Sequence, residues 1–108
     1  MSVNYALEKL HSTERALALL PGRIKERLIV ATSTDFVLVQ TVVSALPDEL
    51  RALYEDILNR ITSIEGEAGE GSLAATINRM DEDTAVGIAR EITELTAQLD
   101  MHQQYPDD

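Results

Sequence analysis

Phe36-Val37-Leu38-Val39-Gln40-Thr41-Val42-Val43-Ser44-Ala45-Leu46 is the stretch on which the fold turns. Five of its eleven residues are β-branched, which favours a strand. The order of the apolar side chains argues for a helix instead. Phe36, Val39, Val43, Leu46, Leu50, Leu53, Ile57, Ile61 and Ile64 step by 3, 4, 3, 4, 3, 4, 4 and 3. A strand would advance by twos, whereas this ridge keeps a helical phase across Pro47. The spacing therefore predicts either one helix kinked at Pro47 or two helices meeting there, with Pro47 as the first helical residue. Asp48 and Glu49 then fall in a first turn, where the helix dipole favours acids. Val37, Leu38 and Val42 lie off the ridge, and a helix apolar nearly all round is covered on more than one side. The cover is either the rest of the bundle or a second copy of the chain, so these three residues are candidate interaction residues.

Outward from this segment the chain keeps reading as helix. Over residues 2–19, Val3, Leu7, Leu10 and Leu17 share one face, and Pro21-Gly22 turns the chain. Residues 23–32 form a shorter amphipathic piece with Ile24, Leu28 and Ala31 on one side. Ser33, Thr34 and Asp35 offer N-cap chemistry to the helix that follows. Glu65 to Ser72 holds three glycines and three glutamates in eight residues and reads as a hinge. Ser72 is the expected cap of a short helix to Met80. Asp81 is the expected cap of a last one, over residues 82–102, with Glu82 and Asp83 in its first turn. Gly87, a poor helix former, is expected at a close helix crossing. The reading is all-α: a small bundle of four to five helices in a single domain, 1–102, with a frayed acidic tail at 103–108.

The 108 residues carry a formal net charge of -10. Residues 1–54 balance six basic against six acidic side chains, while residues 55–108 set three basic against thirteen acidic ones. The whole excess thus lies in the second half. Such a surface repels phosphate backbones and anionic headgroups, which argues against direct nucleic-acid binding and against a membrane partner. It attracts a basic protein partner. Asp81, Glu82 and Asp83 are its densest run and join the candidate interaction residues. The basic cluster Arg23, Lys25 and Arg27 is expected to meet the chain's own acidic half.

Leu28 to Leu46 is apolar enough to need a membrane test. Asp35 near its middle costs roughly 2.5 to 3.5 kcal/mol on insertion, which disfavours a span. The first residues have neither the basic nor the apolar region of a secretory signal, so a cytoplasmic protein is expected.

Candidate chemistry is sparse. The chain has no cysteine, which removes disulfides and thiolate chemistry. Glu8 and His11 have the i, i+3 spacing of a carboxylate-bridged metal bundle, but His102 has Leu99 where the second pair needs Glu. Histidine phosphotransfer bundles share the size and helical class. Here, though, Glu14 and Arg15 stand where their lysine and glycine belong, and an anion beside a phosphohistidine is electrostatically wrong. No catalytic, cofactor or metal residue is assigned. The function read from the sequence is a non-enzymatic interaction module that acts through self-association as a homodimer, through binding a basic protein partner, or through both. The alternative is a bundle with an internal small-molecule or metal site built on Gln40, Thr41, Thr76 and His102.

Overall fold

The computed structural model describes residues 2–66 and 71–104. Among them the chain forms five α-helices and one 3-10 helix, with no strand. These are α1 (Ser2–Leu19), α2 (Ile24–Thr34), the 3-10 helix (Phe36–Ala45), α3 (Asp48–Ile61), α4 (Ser72–Arg79) and α5 (Glu82–Gln104). The all-helical class agrees with the sequence. The number of helices is six rather than four to five, because the ridge from Phe36 to Ile61 is divided in two.

Two helices meeting near Pro47 is one of the two arrangements the spacing allows; the winding of the first and the place of Pro47 differ from the expectation. Residues 36–45 are helical but wound as a 3-10 helix, in which side chains three apart stand in line. Runs of this length are uncommon, and this one breaks at Val42, whose φ of -127° and ψ of 21° are non-helical. The break inserts one residue into the phase. Phe36 and Val39 are buried three apart, half-buried Val43 follows after four, and buried Leu46 after three more. Crowding by β-branched side chains disfavours the α-turn here. Pro47 then forces Leu46 into an extended conformation at φ -76° and ψ 147°. Pro47 is itself extended, at φ -55° and ψ 149°, and is the residue before α3 rather than its first helical residue. Its carbonyl accepts the Arg51 amide at 2.8 Å. Asp48 and Glu49 do occupy the first turn of α3.

α2 ends differently from the expectation as well. The hydroxyls of Thr32 and Thr34 turn back onto the α2 carbonyls of Leu28 and Val30, at 2.7 and 2.8 Å. Asp35 makes no side-chain cap to the 3-10 helix. These residues finish one helix rather than start the next, which is how hydroxyls inside a helix compete with its ladder. The axis bends by 46° there. No single helix among the described residues is long and apolar enough to cross a membrane; only the bent pair of α2 and the 3-10 helix passes on length and composition.

The core runs the length of a 46 × 25 × 21 Å molecule. α1 contributes Ala6, Leu10 and Leu17, α3 contributes Leu50, Tyr54, Ile57 and Ile61, and α5 contributes Ala85, Ile88, Ile92, Leu95 and Leu99. Tyr54 anchors the 3-10 helix from below. Its ring lies 4.7 Å from that of Phe36 between centroids, and its hydroxyl donates to the Phe36 carbonyl at 2.8 Å. Burial pushes the Tyr54 phenol well above the usual tyrosine range. The buried hydroxyls of Thr13, Thr32 and Thr96 each bond the carbonyl four residues earlier, so their burial leaves no donor unmet.

At the base of the expected hinge, a β-carbon on Gly66 would collide with the backbone of Gly71, so these two residues approach backbone to backbone. Gly71 has φ +80° and precedes α4, while Ser72 is the first helical residue and makes no cap. Residues 67–70 of the hinge lie outside the described residues. α5 continues past residue 102 to Gln104, and Gln103 bonds Asn4 of α1 at 3.2 Å; the rest of the expected tail, 105–108, lies outside the described residues. Gly87 does not mark a close crossing within the chain. A β-carbon there would meet nothing within 4 Å, although glycine costs a helix about 1 kcal/mol against alanine.

Candidate interaction surfaces

Val37, Leu38 and Val42 are each half-buried. Val42 sits at the break of the 3-10 helix and packs against the core. Among the described residues, the most exposed large apolar side chains are elsewhere: Leu19 at 75%, Met101 at 65% and Val30 at 45%. Leu20 and Val30 line an open groove of about 400 Å³ with Pro21, Gly22, Glu26 and Arg27 where α1 turns into α2. Both charged residues of that groove are engaged inside the chain. Glu26 accepts the Arg23 amide at 2.8 Å, and Arg27 donates to the carbonyls of Gly22 and Leu17. The buried line of α1 explains the exposure at this corner. Ala6, Leu10, Thr13 and Leu17 form the buried line of α1. Leu19, two residues beyond Leu17, therefore falls about 200° round the helix, away from the core.

The acidic run divides into three roles. Asp81 caps α5, its Oδ1 accepting the Thr84 amide at 2.7 Å. That backbone bond, with a further one from the Thr84 side chain, holds the Asp81 carboxyl below the usual range. Glu82 lies 3.9 Å from the Arg23 guanidinium. Asp83 is exposed and forms no ion pair among the described residues.

The cations mostly face the chain's own groups. Lys25 reaches from α2 to the carbonyl end of α4, donating to Asn78 at 3.2 Å and Met80 at 3.1 Å. Arg51 pairs with Asp48 at 2.6 Å, and Arg60 joins Asp56 of its own helix to Glu91 of α5. The hydrogen bonds that Arg60 donates to Glu91 raise its guanidinium further above its ordinary value. Arg15 and Arg90 have no ion pair among the described residues. On the acidic side, Glu49, Glu55 and Asp83 are likewise exposed without one.

His11 is a strut between α1 and α5. Its Nε2 lies 3.0 Å from Asp100 and its Nδ1 3.5 Å from Glu14. Among the described residues no group of three or more His, Asp or Glu is disposed to hold a metal ion. The polar residues of the internal-site alternative are not brought together. Gln40 and Thr41 face solvent, His102 is half-buried, and Thr76 is taken up by the Ile64 amide at 2.8 Å and the Ser72 carbonyl at 2.7 Å.

A second open groove, of about 460 Å³, runs between the start of α2 and the outer face of α5. Ile24, Val86, Ala89 and Ala97 give it apolar walls, and Arg90 and Glu94 give it one charge of each sign. Sequence reasoning missed it, because the outer residues of α5 alternate small, polar and charged types and form no apolar run.

No protein-family model matches this chain, and no curated protein or solved structure is significantly similar to it.

Proposed function

We propose that this chain is a cytoplasmic, non-enzymatic interaction module that pairs with a second copy of itself and receives a basic protein partner on its acidic half. The observation that carries the reading is the disposition of charge. Lys25 and Arg27 are committed to backbone carbonyls, and Arg51 and Arg60 to carboxylates. Glu49, Glu55 and Asp83 remain open to solvent, so internal pairing leaves the excess negative charge standing on the surface. A field of this kind speeds encounter with a cationic surface and selects against anionic ones.

Affinity capture from the native host, at low salt and at about 0.5 M salt, tests it. The expected result is a basic protein retained at low salt, released at high salt, and lost by the double variant Glu55→Lys, Asp83→Lys. Capture of nothing basic, or capture that survives both changes, overturns the basic-partner reading.

A further inference from the structure

We infer that the self-association seam is the outer face of α5, where a second copy lies antiparallel in the groove that α5 forms with α2. This rests on the self-association part of the reading above and adds its location and geometry.

The first ground is charge complementarity of the groove with itself. Arg90 has no ion pair among the described residues, and Glu94, one turn further along the same face, accepts only a hydrogen bond from Gln98 at 3.1 Å. A two-fold axis level with Ile92 sets Arg90 of each copy against Glu94 of the other, giving two reciprocal ion pairs from one helix. Isologous dimers are built in this way: a surface that complements itself under rotation.

The second ground is Gly87. A glycine inside a 23-residue helix has a structural reason when another backbone comes close, yet here a β-carbon would meet open space. The same two-fold places Gly87 level with Ala97 of the second copy, so the smallest residues of the face oppose one another. Helix axes approach to about 8 to 10 Å where contact side chains are small. Val86 and Ala89 of the groove then close on the flank of the second helix. A second copy accounts for the unpaired arginine and the uncrowded glycine together.

Light scattering on a sizing column, across about 1 to 100 μM, reads the result directly. The expected mass is twice 11.9 kDa at the upper concentration. Arg90→Glu and Glu94→Arg are each expected to weaken the dimer at least about tenfold, and the double exchange to restore it, because reciprocal pairs survive only when both signs are reversed. Gly87→Leu is expected to weaken the dimer while circular dichroism stays helical. All these positions are at or near the surface, so the folded monomer persists as the control. A wild type that stays monomeric at the upper concentration overturns the seam together with the self-association reading. A wild-type dimer indifferent to both reversals and to Gly87→Leu overturns the seam alone. The same holds for a dimer that is broken instead by Leu19→Ser or by Val37→Ser with Leu38→Ser, and either outcome leaves self-association standing.

Discussion

The 3-10 helix and α5 are two helices that owe their form to different causes. α5 is specified locally. It has a side-chain cap in Asp81, acids in its first turn and a core line of Ala85, Ile88, Ile92, Leu95 and Leu99 at regular spacing. The segment from Phe36 to Ala45 has no side-chain cap, no charge in its first turn and a non-helical residue at Val42. What holds it is packing: α1 lies along it and Tyr54 fixes its first carbonyl. A helix built by its own sequence tolerates the loss of a neighbour; a helix built by its neighbours does not.

The largest effect should come from breaking the second kind. Phe36→Ala removes a fully buried ring at the start of the 3-10 helix and should cost about 3 to 5 kcal/mol in urea unfolding. A loss below about 1 kcal/mol would mean that the segment carries its own stability after all. Tyr54→Phe keeps the ring and deletes the bond to the Phe36 carbonyl, at a cost of about 1 to 2 kcal/mol. It should also change the alkaline limb. The Tyr54 phenol titrates higher in the folded protein than in the unfolded chain. Its contribution is therefore complete below the unfolded value, about pH 10, and declines as pH rises beyond it. Stability measured from pH 8 to 11 should fall less steeply in Tyr54→Phe than in the wild type.

On the α5 side the effects are smaller and one has the opposite sign. Gly87→Ala, read as a melting temperature in the Arg90→Glu background, should stabilise the monomer by about 1 kcal/mol, since helix propensity improves and nothing is crowded. No gain would show that the space around Gly87 is not open in the monomer. Asp81→Ala should destabilise α5 only where the carboxylate is ionised. The folded value of Asp81 lies below the unfolded one, so its contribution is present above about pH 4 and vanishes in stronger acid. Wild type and variant should differ at pH 6 and converge near pH 2 in chemical denaturation.

The same contrast explains what was legible beforehand. Where local rules act alone, the sequence could be read closely: α1 runs from residue 2 to 19, α5 starts at Glu82 behind its aspartate cap, and Asp48 and Glu49 open α3. The 3-10 winding was hidden because the extra residue at Val42 converts a spacing of three into the alternation of 3 and 4 that an α-helix produces. The hydroxyls at the end of α2 were read forward when they bond backward, a choice that composition leaves open. Of the candidate surface residues, Asp81 could be placed from its spacing to Thr84, whereas the exposure of Leu19 required knowing which side of α1 the other helices take. The α5 groove depends on Ile24, brought to it from a different helix, and no local pattern announces such a meeting.

Lys25 bonds the carbonyl of Asn78, 53 residues further along the chain. At eight residues α4 is shorter than the ~12 to 15 at which isolated helices begin to persist in water. During synthesis the ammonium group that closes this helix is made 53 residues ahead of the carbonyl it meets, so α4 gains its terminator only when the chain folds back onto α2.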